Sequence, residues 1–415
     1  MDKDLSKIKK VFFIGIGGIG ISALAKMLIA RGIRISGVND EESPKTLDSL
    51  RDAGAKIFYE KDFDNLPEAD MYVYSDAWIY RGPEILEKAK ATGKPVLSYF
   101  EALGQFAKAY KVIAIAGTHG KTTTTAMVAE MMIEAGLDPT VVIGSFVKKW
   151  NSNFREGQSE YLVVEADEYN RHFLNFNPFI TVVTNIEADH LDCYKDLADI
   201  QNAFRQLGEK SENMILDYNK YLNKVPVLSV PGIHNEQNAA AALAVADILK
   251  IDSEISKKAL AAFTGTWRRL EKRGVTKEGV IIYDDYAHHP TEIRASLQAL
   301  RSLYPKREKR IVVLFQPHLY SRTKAFFDEF SKSFQEADQT LFLPIYFARE
   351  DKDESVSSQK LAEVMTANGG NAQAYENFEQ AEEAVRELRL REGDIFVTMG
   401  AGEAYKVADE VFPLE

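Results

Sequence analysis

The sequence predicts an α/β protein made of three successive domains. Short apolar strands alternate with helical patterns along the whole chain, which indicates parallel sheets. Two strands lead directly into glycine-rich turns that begin a helix, at residues 15–20 and 117–120. The length of 415 residues is enough for two or three domains. We place the predicted domains at residues 1–108, 109–264 and 265–415.

Composition restricts the class of protein. The chain is 45% hydrophobic and 27% charged, as is usual for a soluble globular protein. Its net charge of −11 argues against a broad nucleic-acid-binding surface, which needs an excess of basic residues. The single cysteine, Cys193, cannot form an intrachain disulfide and fits a reducing compartment. We therefore expect a cytoplasmic protein, a monomer or homodimer, that binds small molecules and neither nucleic acid nor membrane.

The amino-terminal segment predicts a strand, a glycine turn and a helix. Basic residues followed by an apolar run resemble a signal peptide, but four glycines interrupt the run and Lys26 and Arg31 lie within the helical pattern. No apolar run approaches the roughly 18 residues of a membrane span. We therefore interpret this segment as part of a folded domain.

The first domain carries a glycine pattern that is typical of nucleotide binding. Gly15, Gly17, Gly18 and Gly20 follow the first strand, and backbone N–H groups at the start of the next helix can bind a pyrophosphate. Asp40, near the end of the second strand, fits a contact to the ribose of any nucleotide. An alternative is that the glycines serve only the close packing of strand and helix. Strands are expected at residues 11–14, 33–38, 56–59, 71–74 and 95–97.

The second domain begins with the most informative stretch of the chain, IAGTHGKTTTT at residues 115–125. A strand at 112–116 leads into the turn, and Lys121 with four threonines begins a helix. Backbone N–H groups of such a turn bind phosphate oxygens, Lys121 can reach the terminal phosphates, and the Thr122 hydroxyl can bind Mg²⁺. The turn is shorter than a usual P-loop because its first glycine is Gly117. The alternative is a solvated turn with an unrelated lysine.

Two further strands of this domain, at 161–164 and 179–183, end in acidic clusters that include Glu165 and His190. Ligands of open α/β sheets gather at the carboxyl ends of the strands. Carboxylates and a histidine next to a triphosphate can bind Mg²⁺, so we predict that Glu165 and His190 bind metal together. Taken singly, each of these acidic residues is more often a solvated loop residue.

An alanine-rich helix follows His234, Asn235 and Asn238. Histidine and asparagine at the start of a helix can be caps and nothing more. They can also contact the edge of an adenine. The residues alone do not decide between these two roles.

The third domain contains a second doubly wound sheet, with strands expected at 279–285, 310–315, 339–346 and 394–399. The residues after these strands include Tyr286, His288, His318 and Arg322, a set that suits a small molecule with a carboxylate. A linker at 263–274 that carries Arg268 and Arg269 precedes the domain.

Taken in order, nine motifs resemble those of the Mur ligase family of peptidoglycan synthesis. The motifs are GIGGIG, GTHGKTTTT, EADE, TNIEADHLD, HNEQN, FTGTWRRLE, DDYAHHPTE, FQPHLYSRT and TMGAG. The resemblance implies a Rossmann-like N-terminal domain that binds UDP, a P-loop-type ATPase central domain and a Rossmann-like C-terminal domain that binds the amino acid. It implies ATP-dependent ligation of L-alanine to the carboxylate of UDP-N-acetylmuramate, through an acyl phosphate and with two Mg²⁺ ions, in the cytoplasm.

The resemblance also implies roles for individual residues. The UDP-sugar would be bound by Gly15, Gly17, Gly18, Gly20, Asp40 and Ser75. ATP would be bound by Gly117, Thr118, His119, Gly120, Lys121, Thr122, Thr123, His234, Asn235, Asn238, Arg269 and Asp285. The amino acid would be bound by Tyr286, His288, His318 and Arg322, and the metal by Thr122, Glu165 and His190. Lys121, Glu165, His190, Arg269 and His288 would be catalytic.

The chain departs from the family pattern in three places. Leu319 stands where many such ligases carry arginine, which leaves Arg322 as the cation for the alanine carboxylate, and Glu403 stands where aspartate is frequent. Between Glu209 and Gly232 the chain is shorter than usual, so a small antiparallel part of the central domain is expected to be absent. A ligase of the same family that adds a whole tripeptide in recycling is the nearest alternative. An NAD(P)-dependent dehydrogenase would leave GTHGKT unexplained, and a non-catalytic P-loop module would leave the acidic strand ends unexplained.

Overall fold

The computed structural model describes residues 7–40, 44–63, 65–306, 309–347 and 350–412. These residues form three separate sheets with helices between their strands, which confirms the predicted α/β class. Internal contacts divide the chain into two compact units. The first unit is Met1–Ser229 with Gln237–Thr264, and the second is Val230–Glu236 with Gly265–Glu415. The three predicted domain ranges stay predictions.

The first sheet has five parallel strands in the order β3-β2-β1-β4-β5. Its strands are β1 (Lys10–Ile14), β2 (Arg34–Asn39), β3 (Lys56–Tyr59), β4 (Met71–Tyr74) and β5 (Val96–Ser98). Its helices are α1 (Ile19–Ala30), α2 (Pro44–Asp52), α3 (Trp78–Arg81), α4 (Pro83–Ala91) and α5 (Tyr99–Ala107). All five predicted strands are therefore present.

The second sheet has six strands in the order β11-β10-β6-β9-β7-β8, parallel except for the β7–β8 hairpin. Its strands are β6 (Lys111–Ala116), β7 (Thr140–Val147), β8 (Ser152–Arg155), β9 (Tyr161–Glu165), β10 (Ile180–Val183) and β11 (Asn213–Ile215). Its helices are α6 (Lys121–Glu134), α7 (Leu197–Glu209), α8 (Ile233–Leu249) and α9 (Ser253–Ala261). Between α7 and α8 the described chain forms only β11 and a short 3₁₀ segment, Asn219–Lys224.

The third sheet has six strands in the order β12-β13-β17-β14-β15-β16, and only the β12–β13 pair at its edge is antiparallel. Its strands are β12 (Glu271–Val275), β13 (Ile281–Asp285), β14 (Ile311–Phe315), β15 (Gln339–Phe342), β16 (Ala372–Ala374) and β17 (Ile395–Met399). Its helices are α10 (Pro290–Leu303), α11 (Tyr320–Ala325), α12 (Phe327–Ser331), α13 (Ser358–Ala367), α14 (Phe378–Glu387) and α15 (Tyr405–Val411).

The central strands are apolar along their whole length because helices cover both faces of each parallel sheet. β14 reads IVVLF and is buried at every position, and β6 is buried from Val112 to Ala116. In the first unit, one hydrophobic cluster joins the first two sheets, with Phe106 of α5 and Phe173 among its members. No helix of the described residues is long and apolar enough to cross a membrane. Within each unit, the packed strands and helices position the loops at the carboxyl ends of the strands, where the candidate site residues lie.

Candidate active site

The turn between β6 and α6 can form only with glycine at two positions. Gly117 and Gly120 have φ angles of 126° and 82°, which L side chains rarely adopt. A Cβ atom at Gly117 would lie 2.1 Å from Oγ1 of Thr184, and one at Gly120 would lie 2.4 Å from Oδ1 of Asn238. No side chain of the described residues caps the amino end of α6. Its backbone N–H groups and helix dipole are therefore suited to binding an anion.

Residues that follow β10 hold this phosphate turn in place. The His119 N–H donates to Oδ1 of Asn185 at 2.9 Å, and the Thr184 hydroxyl donates to the His119 carbonyl at 2.5 Å. The Glu187 N–H donates to the Thr118 hydroxyl at 2.9 Å. The side chains of Thr184 and Asn185 were not among the predicted site residues, although both belong to the TNIEADHLD motif that we had singled out.

Lys121 lies at the centre of the site, and its ammonium group is fully engaged. Nζ donates to the carbonyls of Gly117 and Thr118 at 2.6 and 3.1 Å and to the carboxylate of Glu168 at 2.8 and 3.1 Å. Burial lowers the pKa of Lys121, but the negative charges of Glu168, Asp167 and Glu165 raise it more, so its pKa lies above the ordinary value. The lysine is therefore cationic at neutral pH.

The Thr122 hydroxyl and the Glu165 carboxylate are adjacent, which is the arrangement needed for both to bind one magnesium ion. The Thr122 hydroxyl donates to Oε2 of Glu165 at 3.1 Å, and the Gly144 N–H donates to Oε1 at 2.6 Å. Glu165 ends β9, next to β6 in the same sheet, so the sheet itself sets this distance. Both groups offer the oxygen ligands that Mg²⁺ prefers, and the donor set therefore fits the ion. The neighbouring Thr123 is buried in the first turn of α6.

His190 belongs to a second group of possible metal ligands, with Asp167 and Glu168. One ligand atom from each of the three residues lies within 4.8 Å of the others. His190 adopts a φ of 53°, its N–H donates to Oδ1 of Asp189 at 2.8 Å, and its Nε2 is 3.7 Å from Glu168. The structure thus groups His190 with the end of the EADE motif, whereas Glu165 contacts Thr122. The sequence pattern indicates the EADE motif but does not distinguish Glu168 within it.

The glycine turn after β1 is shaped by side chains that occupy the missing Cβ positions. A Cβ atom would lie 2.3 Å from the Trp78 indole at Gly15, 2.8 Å from the Asn39 amide at Gly17 and 3.0 Å from the Tyr99 ring at Gly20. The Gly17 N–H also donates to Oδ1 of Asn39 at 3.0 Å. Close packing therefore explains these three glycines.

The same turn still offers an anion-binding helix end. α1 begins after Gly18, and no side chain of the described residues caps it. A Cβ atom at Gly18 would be 3.2 Å from Cγ2 of Ile21, so this glycine has more room than the other three. Packing and pyrophosphate binding are thus compatible explanations of the GIGGIG motif.

Asp40 follows the carboxyl end of β2, and Ser75 follows that of β4. These two strands flank β1 in the first sheet. The Asp40 carboxylate accepts a 2.6 Å hydrogen bond from Nη1 of Arg81. The Ser75 N–H donates to the Ile14 carbonyl at 2.9 Å, and its Cβ lies 3.2 Å from the position of a Cβ at Gly15. The contacts of both residues with a UDP-sugar stay predictions.

In the second unit, the two consecutive arginines have different surroundings. Arg268 is 4% exposed and donates to Asp284 at 2.9 Å and to the carbonyls of Gly400 and Gly402 at 2.6 and 2.9 Å. The Arg269 guanidinium lies over the Tyr286 ring, 5.1 Å from its centre. Arg268 therefore fastens the glycine-rich TMGAG loop to β13, and Arg269 is the arginine not used in that bonding.

Asp285, the predicted ribose ligand, is 4% exposed and bonded inside the second unit. Its carboxylate accepts hydrogen bonds from the Ser296 hydroxyl and, at 3.3 Å, from the Ala287 N–H. Burial raises its pKa to about 6, and the hydrogen bond from Ser296 and the charge of Arg269 oppose this rise. A contact with ribose stays a prediction for this residue.

The four residues predicted to bind the amino acid form one cluster. The His288 ring is 5.3 Å from the Tyr286 ring and 5.8 Å from the His318 ring. Nη1 of Arg322 is 3.4 Å from Nδ1 of His318, and His318 stacks on Tyr346 at 5.5 Å. The strand ends therefore bring together a cation and three rings, as the sequence indicated.

Leu319, the departure from the family pattern, is 4% exposed. Its backbone has φ 69° and ψ 134°, an unusual conformation for leucine, and its N–H donates to the Tyr346 carbonyl at 2.8 Å. Its side chain is thus part of the interior of the second unit.

His234 and Asn235 lie in the second unit and Asn238 in the first. Burial lowers the pKa of His234 to about 4, and its Nδ1 has no hydrogen-bond partner among the described residues. Nδ2 of Asn235 donates to the Pro231 carbonyl at 2.7 Å, and Oδ1 of Asn238 accepts from the Thr124 hydroxyl at 3.2 Å. Both asparagines therefore have structural bonds, and contacts with adenine stay a prediction.

Comparison with protein families accounts for most of the chain. Residues 10–111 match the model of the Mur ligase family catalytic domain, residues 115–225 the Mur ligase middle domain, and residues 268–402 the Mur ligase glutamate ligase domain. The three matches follow one another in the order of the three sheets.

Individual proteins are similar over nearly the full length. The chain is 38% identical to UDP-N-acetylmuramate–L-alanine ligase of Desulfosudis oleivorans, covering 98% of both chains, and 37% identical to the ligase of the same name from Caldanaerobacter subterraneus, covering 99% of this chain and 98% of that one. The crystal structure of UDP-N-acetylmuramate-alanine ligase from Thermotoga maritima superposes with a TM-score of 0.81 at 28% identity, covering 97% and 98%. A murein peptide ligase from Psychrobacter arcticus shares the fold, with a TM-score of 0.68 at 23% identity and the same coverage. The chain therefore belongs to the Mur ligase family.

Proposed function

We propose that this protein joins L-alanine to the carboxylate of UDP-N-acetylmuramate at the expense of ATP. The relatives that carry this activity in their names are 37–38% identical over almost the whole chain. The single observation of the structure that supports it most is the phosphate turn, with Lys121 and the Thr122–Glu165 pair at the carboxyl edge of one sheet. ATP, the UDP-sugar and the amino acid are its proposed small-molecule partners.

The chemistry requires a leaving group on an unreactive carboxylate. The carboxylate oxygen attacks the γ-phosphorus of ATP, ADP leaves, and an acyl phosphate is formed. The amine of alanine then attacks the acyl carbon, phosphate leaves with the bonding electrons, and the amine gives up a proton. Lys121 and the N–H groups of the turn offset the charge on the transferred group. Holding the reactants together can supply roughly 7–11 kcal/mol of the barrier.

Two Mg²⁺ ions belong to this proposal. Thr122 and Glu165 would hold one, and His190 with Asp167 and Glu168 would hold the other. Bound there, the ions would neutralise phosphate charge and orient the phosphoryl oxygens. The protein's own contribution to the first of these sites is to hold Glu165 at the end of β9 and Thr122 in the first turn of α6, so that a packed strand and a packed helix set the positions of the carboxylate and the hydroxyl.

For the second unit we propose that Arg322 binds the alanine carboxylate. Arg322 as a whole is 7% exposed, and a buried arginine forms a strong charge-assisted pair with a carboxylate. Tyr286, His288 and His318 would shape the remainder of this site, and Arg269 would contact the nucleotide. A cytoplasmic location and a monomeric or dimeric state complete the proposal.

Phosphate release from ATP and Mg²⁺ tests this function directly. The assay contains UDP-N-acetylmuramate with L-alanine, glycine, L-serine or the tripeptide in turn. Release that requires both the UDP-sugar and L-alanine is expected. Release only with the tripeptide would instead establish the recycling reaction, and release with none of the four acceptors would refute the ligase activity.

A further inference from the structure

Glu168 forms a buried ion pair with the phosphate-loop lysine. Its side chain is 3% exposed, and both carboxylate oxygens lie within hydrogen-bond distance of Nζ of Lys121, at 2.8 and 3.1 Å. The backbone of Glu168 is also fixed, because its carbonyl accepts bonds from the Tyr194 hydroxyl at 2.5 Å and the Arg171 N–H at 2.9 Å. The carboxylate is thus held against the lysine by its surroundings.

The lysine has no N–H group left over for a phosphate. Besides Glu168, its ammonium group donates to the carbonyls of Gly117 and Thr118, so its three donors have partners. A terminal phosphate can reach Nζ only if one of these partners releases it. A carboxylate and a phosphate both present anionic oxygens to an ammonium, so Glu168 is the partner that a phosphate would replace.

The charge around Lys121 is strongly negative. One lysine faces the carboxylates of Glu165, Asp167 and Glu168, all of which act on its pKa. Metal-free ATP would add its own negative charge at short distance, in a region where water screens poorly. Releasing Lys121 from Glu168 would also leave that buried carboxylate without its cation. A divalent cation bound with the nucleotide removes both costs.

We propose that Glu168 is a positioning residue, which holds Lys121 in place before the nucleotide binds and makes the site select metal-complexed ATP over metal-free ATP. Lys121 exchanges Glu168 for the terminal phosphate, and the carboxylate passes to the side of the bound cation, where His190 already lies 3.7 Å away. The inference rests on the proposed function only in taking ATP as the nucleotide.

The test compares the Kd for ATP in excess Mg²⁺ and in EDTA, measured by titration calorimetry on the full chain. Glu168→Gln keeps the shape of the side chain and one acceptor for Lys121 but removes the charge. We expect metal-free ATP to bind the variant at least about tenfold tighter than it binds the unmodified protein, and Mg-ATP to bind no more tightly, because the variant also loses a proposed ligand of the cation. The ratio of the two Kd values then falls by a similar factor.

Glu130→Gln is the matched control. Glu130 lies on the same helix as Lys121, its side chain is 4% exposed, and the ammonium group of Lys149 lies 3.8 Å from its carboxylate. It is about 13 Å further along the helix axis. Its Kd ratio should equal that of the unmodified protein, because the same replacement of a buried carboxyl group by an amide is made away from Lys121.

An unchanged Kd ratio in Glu168→Gln, or weaker binding of metal-free ATP, would overturn the proposal. If Glu168→Gln does not fold, Glu168→Asp provides the test, because it keeps the negative charge but moves it away from Lys121. We then expect a Kd ratio between those of the unmodified protein and Glu168→Gln. An unchanged Kd ratio would contradict the positioning role of Glu168. A purely structural role would weaken both forms of ATP equally. Neither the UDP-sugar nor alanine enters this measurement, so a failure of the alanine-dependent reaction contradicts the proposed function without touching the role of Glu168.

Discussion

The chain contains two turns of the same local design that differ in what surrounds them. Each follows a buried parallel strand, contains a glycine with positive φ (Gly15 at 80°, Gly120 at 82°) and precedes a helix that no described side chain caps. The turn before α1 is walled by Trp78, Asn39 and Tyr99. The turn before α6 is surrounded by Lys121 and carboxylates.

From this difference in surroundings we propose a binding role for the turn before α1 and a catalytic role for the turn before α6. A strand, a glycine turn and a helix supply N–H groups for an anion wherever they occur. Only the second turn adds a lysine and oxygen ligands for a metal, which are the groups that phosphoryl transfer needs. We therefore expect changes in the second turn to reduce turnover, and changes in the first to affect the affinity for the UDP-sugar.

The largest effect is expected from Lys121→Ala. In the proposed mechanism Lys121 contacts the transferred phosphoryl group, so removing this cation should lower kcat by roughly 10²–10³-fold. Initial rates at saturating substrates measure it, and circular dichroism serves as the control for folding. Near-normal turnover would show that the second turn is no more catalytic than the first.

The two helices that follow the turns each bury an ionisable residue, Lys26 in α1 and Glu130 in α6. Glu130 should make the free energy of unfolding depend on pH. Burial raises the pKa of Glu130 to about 7, and Lys149 opposes this rise. The folded state therefore binds more protons than the unfolded state between the ordinary carboxyl pKa and pH 7, so stability decreases as pH rises through that range, by about 3 kcal/mol at most. Urea unfolding at pH 5 and 7 should show this loss, and Glu130→Gln should abolish it; an equal loss in the variant would assign it to other groups.

A moderate effect is expected from Gly17→Ala in the first turn. The new Cβ would displace the Asn39 amide and its hydrogen bond to the Gly17 N–H. The KM for the UDP-sugar should rise about tenfold, a free-energy change of about 1.4 kcal/mol, while the Kd for ATP stays the same. Gly18→Ala is the matched control, because Ile21 leaves more room there and a change within about threefold is expected. If Gly17→Ala changed the KM for the UDP-sugar and the Kd for ATP by the same factor, the two turns would not have separate ligands.

The smallest effect is expected from Arg81→Ala, which removes the ion pair between Arg81 and Asp40 in the first domain. The Arg81–Asp40 pair is partly exposed, so its loss should cost less than about 1 kcal/mol in unfolding experiments. A change of KM confined to the UDP-sugar would support the ribose contact of Asp40. An identical change in the ATP parameters would contradict it.

The sequence predicted the central strands and both turns because their signals are local. A run such as VIAIA followed by glycines can form little else than a buried strand and a turn. It missed β8 and β11 in the second sheet and β12 and β16 in the third, which are short strands at sheet edges, where polar residues are tolerated. β12, for example, reads EKRGV, a pattern typical of a linker. It also missed β7, although this eight-residue strand is largely buried and lies inside the second sheet.

Among the candidate site residues, the sequence predicted those that belong to motifs and missed those that are defined by contacts between distant parts of the chain. Glu168 is 47 residues from Lys121 and Asn39 is 22 residues from Gly17. No periodicity marks such pairs, because they arise only when parallel strands align their carboxyl ends. The sequence likewise does not distinguish the adjacent Arg268 and Arg269. Their roles differ because the guanidinium of Arg268 donates to Asp284.

The indole that fills the space beside Gly15 gives the first turn an optical reporter. Trp78 is one of three tryptophans, with Trp150 and Trp267, and is only 3% exposed. Its emission depends on the packing and polarity of the turn that it touches. With the other two replaced by phenylalanine, the intrinsic fluorescence of the protein becomes a label-free signal from this turn, so occupancy there can be followed in real time while the phosphate turn is empty.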